Sequence, residues 1–83
     1  MDRTPVETKF RTQVASDVVR DGLGVELLSD TGAVLAEAFR WDARHTVTFS
    51  AFAEDLPLAG IRMLIDRALD RLDPFEDGTP LGL

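Results

Sequence analysis

Residues 58–72 read LAGIRMLIDRALDRL, and their apolar side chains recur at intervals of three and four. This spacing places the apolar residues on one face of an α-helix and the charged residues on the opposite face. Pro57 suits the first position of a helix, where a backbone N–H would have no partner, and Asp73-Pro74 ends the pattern. We therefore predict an amphipathic helix over residues 57–72. Its apolar face comprises Leu58, Ile61, Leu64, Ile65, Ala68, Leu69 and Leu72.

Three segments before this helix have the composition of β-strands. Residues 23–28 and 34–41 alternate apolar and polar side chains, and residues 45–53 are rich in β-branched and aromatic side chains. Residues 29–32, SDTG, fit a turn in which residues 30–32 form a three-residue hairpin loop with Gly32 in the left-handed conformation, and residues 42–44 would form a second short loop. The sequence thus predicts an α+β fold, in which the C-terminal helix covers a three-stranded antiparallel meander.

The predicted strand register is the pairing that gives the sheet one apolar face. Pairing Ser29 with Ala33 and Trp41 with His45 achieves this. The opposite face would then be small and half polar. The predicted apolar face comprises Leu23, Val25, Leu27, Leu35, Phe39, Trp41, Val47, Phe49 and Ala51.

The N-terminal segment, residues 6–22, fits more than one structure. Its alternation of apolar and polar residues over 6–14 is typical of a strand, whereas Phe10, Val14 and Val18 step by four as in a helix ended by Gly22. A third alternative is a strand over 14–20 that enters a tight hairpin at Asp21-Gly22. We favour a helix near 9–21 and keep an extra strand as the alternative. Residues 1–5 and 74–83 are expected to be loose, with Phe75 able to fold back onto the body.

Length and composition limit the possible functions. The chain has 83 residues, no cysteine and a formal net charge of −6, which fits one small domain without a disulfide framework or thiolate metal site. Its acidic balance argues against nucleic acid or an anionic membrane as partner. The apolar runs are far shorter than the ~20 residues of a membrane span, and no signal-peptide pattern is present. We expect a cytoplasmic protein without cofactor or metal.

Glu37 is the candidate with the most chemical interest. In the predicted register it lies on the apolar face between Leu35 and Phe39, where a carboxylate would lose hydration. Desolvation of this kind is how enzymes prepare a general acid or base. Lone buried carboxylates are rarely unpaired, so we favour a structural interpretation in which Arg11 or Arg20 binds Glu37.

The second predicted hairpin carries further candidate binding residues. Arg40, Trp41 and Arg44 could form a recognition edge, because Trp and Arg are favoured at protein interfaces. His45 lies beside Asp42, which could orient it as a base, yet the sequence offers neither a nucleophile nor a metal site to accompany it, so we favour a solvated loop histidine.

Phe52 extends an apolar patch on the second face of the sheet, together with Leu28 and Val34. Such a patch requires a cover in so small a chain. The leading hypothesis is therefore a domain that acts by binding another protein, with self-association as a homodimer one form of it. The alternatives are an acidic inhibitor of a basic enzyme, similar in role to an immunity protein or antitoxin, and a small enzyme that uses Glu37 and His45.

Overall fold

Residues 9–83, which the computed structural model describes, form an antiparallel sheet covered on one side by a helix. The elements are β1 (Arg11–Asp17), β2 (Gly22–Leu28), β3 (Val34–Trp41), β4 (Thr46–Ala51) and α1 (Leu58–Arg71). The strands lie in the order β1-β2-β3-β4. The α+β prediction is confirmed as an antiparallel sheet with a C-terminal helix, and α1 falls within one residue of the predicted bounds.

The N-terminal segment is a strand, so our preference for a helix near 9–21 is wrong. Arg11 to Asp17 pair with β2 along its whole length. The chain then reverses over residues 18–21, because Asp17 Oδ1 accepts the backbone N–H groups of Val19 and Arg20. Val18, the last residue of the helical spacing, and its neighbour Val19 are exposed at the tip of this loop. The predicted loose segment 1–5 lies outside the described residues.

The β2–β3 hairpin begins as predicted and then departs from the predicted register. Ser29 N–H donates to the Ala33 carbonyl at 2.9 Å, and Gly32 has the expected left-handed φ of 88°. A β-bulge at the end of β2 then shifts the pairing by one residue, so that Leu27 lies opposite Ala36 and not Leu35. Bulges of this kind insert one extra residue and change which side chains share a face.

The β3–β4 loop is one residue longer than predicted. His45 adopts a left-handed φ of 49° within the loop, and Trp41 therefore pairs with Thr46. Both one-residue shifts act on β3 and turn that strand over, so that Ala36 and Ala38 face the helix while Phe39 and Trp41 lie on the helix-free side, hereafter the open face. The predicted apolar face is therefore wrong for Phe39 and Trp41.

The core lies between α1 and the first three strands. Leu64 is completely buried, and it packs with Val25, Leu27 and Ala38 in one cluster. Within residues 9–83, α1 packs against β1, β2 and β3 and does not extend over β4. The predicted register also requires Phe49 to meet Leu64 in the core. This prediction is wrong, since Phe49 lies on the helix side but remains 52% exposed.

The segment after α1 returns to the body of the domain. Phe75 is buried, its N–H donates to the Thr79 carbonyl at 2.7 Å, and Leu81 N–H donates to Asp73 Oδ1 at 3.1 Å. These hydrogen bonds fold the segment on itself. The segment contacts the β3–β4 loop where Phe75 lies beside the His45 ring and Glu76 N–H lies 3.4 Å from Asp42 Oδ1.

Gly22 permits β2 to pass close to β3, and replacing it should be costly. A Cβ atom at this position would lie 1.9 Å from the Arg40 carbonyl oxygen and 2.6 Å from Cε1 of Phe39. We expect Gly22→Ala to lower the free energy of unfolding by roughly 3 kcal/mol, since the backbone itself must shift. Urea unfolding measures this. Ser16→Ala, at an exposed site on β1, should change it by less than about 0.5 kcal/mol. Equal stability of Gly22→Ala and wild type would contradict this close approach.

Candidate functional site

Glu37 is buried on the open face, where Arg20 binds it with two hydrogen bonds. Arg20 Nη1 lies 2.7 Å from Oε1 and Nη2 lies 2.9 Å from Oε2, while Glu37 is only 6% exposed. The Arg20 guanidinium covers the Phe39 ring at 3.8 Å. Arg20 was one of the two partners predicted for Glu37, and the structure brings the two together. Bidentate pairing of this kind fixes the carboxylate in place and occupies both of its oxygens.

Arg20 also binds Asp17, which links the β1–β2 loop to the same ion-pair network. Arg20 Nε donates to Asp17 Oδ2 at 2.6 Å, and this hydrogen bond is the main reason that the pKa of Asp17 is lowered. The hydrogen bonds to Glu37, and then those to Asp17, raise the pKa of Arg20 above its usual value. The network therefore anchors the loop at residues 18–21 onto the open face.

The Asp17 pairing predicts a specific dependence of stability on pH. Its folded-state pKa lies below the ordinary value of 3.8, so the stabilisation is present above that value and is lost as the pH falls through the folded-state pKa. We expect the melting temperature of Asp17→Asn to fall less steeply than that of wild type below about pH 4. Thermal melts followed by circular dichroism across this range provide the measurement. Parallel pH profiles of the two proteins would contradict the prediction.

Two glycines in β2 make room for this cluster. A Cβ atom on Gly24 would lie 2.9 Å from Glu37 Oε2 and 3.1 Å from the Phe39 ring. Gly22 was predicted to end a helix or to lie in a tight hairpin, and Gly24 was taken as ordinary strand sequence. Glycine inside a strand often marks a close approach, and this signal could have indicated that large side chains of β3 lie against β2.

Trp41 and Arg44, two of the three residues named for a recognition edge, contact each other on the open face. The Arg44 guanidinium carbon lies 4.2 Å from the Trp41 ring centroid, and Trp41 Nε1 donates to Thr48 Oγ1 at 2.8 Å. Phe39 packs edge-on against the same indole at 4.8 Å. These contacts give the half-buried indole a fixed orientation.

Arg40 lies on the other side of the sheet from Trp41, and its contacts are internal. Nη1 donates to the carbonyls of Leu72 and Pro74, each at 2.8 Å, and Nε lies 2.8 Å from Asp42 Oδ1. The Arg40 side chain is only 12% exposed. A cation is favourable beside the carbonyl groups at the end of a helix, so Arg40 fastens the C-terminus of α1 to β3.

His45 lies at the edge of an acidic cavity at the end of the sheet. Its Nε2 atom is 2.9 Å from Asp77 Oδ2, and its ring lies 4.9 Å from that of Phe75. The pKa of Asp77 is lowered mainly by the Thr79 backbone N–H, with a smaller contribution from His45. The cavity has a volume of about 360 Å³ and is lined by Asp21, Asp42, Ala43, His45, Glu76 and Asp77.

In the described residues, the acidic side chains around this cavity do not form a metal site. Among residues 9–83, no group of three or more His, Asp or Glu side chains is placed to hold a metal ion. Glu37 lies on the open face and does not line the cavity that holds His45. The acidic cavity can attract cationic groups by its charge.

An apolar groove lies between β4 and α1, where the helix does not cover the sheet. The groove has a volume of about 280 Å³, and exposed apolar side chains of Phe49, Ile65 and Leu83 line it. Phe52 follows immediately after β4 and is also exposed, whereas Leu28, predicted to share its patch, is buried. Phe49 was predicted to lie in the core, and this position gave no indication of the groove.

The outer edge of β4, which lies beside the same groove, pairs with no other strand within residues 9–83. In the described sheet β4 pairs with β3 only, and Phe52 N–H points inward to the Leu35 carbonyl at 2.8 Å. Backbone groups alternate in direction along an antiparallel strand, so those of Val47, Phe49 and Ala51 point outward. We define the β4 surface as this outer edge together with Phe49, Ile65 and Leu83.

Comparison with family models, with curated protein sequences and with solved structures gave no match. Within residues 9–83, no helix is long and apolar enough to span a membrane.

Proposed function

We propose that this protein acts by binding another protein chain through the β4 surface, with a cytoplasmic location as part of the proposal. The observation that carries it is the outer edge of β4, which no strand of residues 9–83 pairs with, next to an apolar groove that these residues leave open. An extended segment can add to such an edge through backbone hydrogen bonds, while apolar pockets beside the edge select its side chains.

The sequence of β4 supports this use of the edge. Natural proteins protect exposed edges with charged side chains, proline or bulges. Residues 46–51, TVTFSA, contain neither a charged residue nor proline. An edge that lacks these protections, in a chain with a charge of −6, is suited to pairing with another strand.

Co-purification from the native host tests the proposal with a matched pair of variants. Phe49→Lys places a charge in the groove, and Met63→Lys places the same charge on the part of α1 that faces away from it. We expect the proteins that co-purify with wild type to be retained by Met63→Lys and lost by Phe49→Lys. Retention of every bound protein by Phe49→Lys, or the absence of any bound protein with wild type, would contradict the proposal.

The acidic cavity supports a second candidate function, inhibition of a basic enzyme in the manner of an immunity protein or antitoxin. Asp21, Asp42, Glu76 and Asp77 bring four carboxylates to one end of the sheet. Charge complementarity of this kind speeds association, and the effect weakens with added salt. Retention of a basic partner by Phe49→Lys and its loss by Asp21→Asn combined with Glu76→Gln would favour this candidate.

The enzyme hypothesis receives no comparable support from the geometry. Arg20 occupies both oxygens of Glu37, and His45 lines a cavity that Glu37 does not reach.

A further inference from the structure

We propose that the β4 surface binds the β4 surface of a second copy of this chain, by antiparallel pairing of the two strands with Phe49 opposite Phe49. This inference rests on the proposed function and names its partner. The resulting assembly is a two-fold symmetric dimer with one continuous eight-stranded sheet.

The backbone of β4 fits itself in this register. Val47, Phe49 and Ala51 direct their backbone N–H and C=O groups to the free edge, because Phe52 N–H points inward to β3. When Phe49 lies opposite its symmetry mate, Val47 of each copy lies opposite Ala51 of the other. Every outward-pointing group of these three residues then has a partner, and six backbone hydrogen bonds join the copies.

The symmetry also joins the two apolar grooves. A two-fold axis that relates two antiparallel strands is perpendicular to the sheet, so both helices lie on the same side. Phe49 faces that side, and both Phe49 side chains therefore meet at the axis between the two helices. The apolar side chains of Ile65 and Leu83, exposed in the single chain, lie around the groove that these rings enter.

The distribution of charge favours self-association through β4, with the two strands antiparallel. Residues 46–51 carry no charge, so their self-pairing opposes no like charges, although each chain has a net charge of −6. The acidic cavity lies next to the loop that precedes β4. Antiparallel pairing sends the two acidic cavities to opposite ends of the shared sheet, whereas parallel pairing would bring them together.

The mass in solution provides the first test. We expect sedimentation velocity to show wild type and Met63→Lys as dimers that dissociate on dilution, and Phe49→Lys as a folded monomer at the same concentrations. Amide exchange at Val47, Phe49 and Ala51 should become slower as the wild-type concentration rises. A wild-type chain that is monomeric at every concentration, with unchanged exchange at these amides, overturns the inference.

Engineered cysteines test the register, since the natural chain contains none. The proposed pairing places Thr48 of one copy opposite Ser50 of the other in a non-hydrogen-bonded pair, about 4.5 Å apart at Cα, within reach of a disulfide. Mild oxidation of a mixture of Thr48→Cys and Ser50→Cys should give several-fold more cross-linked dimer than either variant alone. In this register Thr48 lies two residues along the strand from the position opposite Thr48 of the other copy, and the same holds for Ser50. This separation exceeds the span of a disulfide.

The outcomes separate this inference from the function on which it rests. Cross-linking by Thr48→Cys alone, or by Ser50→Cys alone, to the same extent as by the mixture would overturn the register with Phe49 at the axis. A strictly monomeric wild type that still loses a bound protein on Phe49→Lys substitution would overturn self-pairing and leave the proposed function in place.

Discussion

Replacing Arg20 with methionine is expected to lower the free energy of unfolding by about 3 kcal/mol near neutral pH, because it leaves the buried Glu37 carboxylate without its charge partner. The value lies at the low end for a buried ion pair, since the Arg20 side chain is 35% exposed and water can approach from that side. Urea unfolding monitored by the fluorescence of Trp41 provides the measurement. Trp41 is the only tryptophan and lies close to the pair.

A double substitution distinguishes the loss of a charge partner from the loss of packing. Arg20→Met combined with Glu37→Leu removes both charges, and it should recover much of the lost stability, because apolar residues often replace a buried ion pair without a net cost. Arg62→Met, on the exposed surface of α1, should change stability by less than about 0.5 kcal/mol. If Arg20→Met is no more destabilising than Arg62→Met, Glu37 does not depend on Arg20.

Truncation of Leu64 to alanine should lower the free energy of unfolding by about 2–5 kcal/mol, since it creates a cavity at the centre of the helix–sheet contact. Leu64 is 0% exposed and packs among Val25, Leu27 and Ala38. Urea denaturation at low protein concentration measures the effect on the single chain.

The neighbouring residue Ile65 supplies the control for this truncation. It is half exposed in the groove, so Ile65→Ala should cost about 1 kcal/mol in the single chain. An equal loss of stability in Leu64→Ala and Ile65→Ala would contradict the position of α1 over β1 to β3.

The elements that could be predicted from sequence are those whose pattern is local. The spacing of apolar residues in 58–72 depends on the helix alone, and its predicted bounds differ from those of α1 by one residue at each end. The loop at residues 29–32 was recognisable because Gly32 is the residue type that most readily adopts a left-handed φ. His45 adopts a similar conformation without being glycine, which concealed the extra residue in the β3–β4 loop.

The remaining errors concern contacts between distant parts of the chain. Residues 9–21 carry patterns compatible with both helix and strand, and pairing with β2 decides for the strand. Burial of Glu37 with Arg20 as one possible partner was expected on the helix side of the sheet, whereas the structure places the pair on the open face. A single bulge and one additional loop residue account for this difference, because each reverses the faces of a strand.

The order of the strands has a consequence for the speed of folding. Each strand pairs with its neighbour in sequence, and the two four-residue loops at 18–21 and 42–45 bring those neighbours together at a small entropic cost. Chains dominated by contacts between residues close in sequence fold faster than those that must first join distant segments. The sheet of this protein can therefore form hairpin by hairpin. Docking of α1 onto Val25 and Leu27 is then the step that joins segments far apart in sequence.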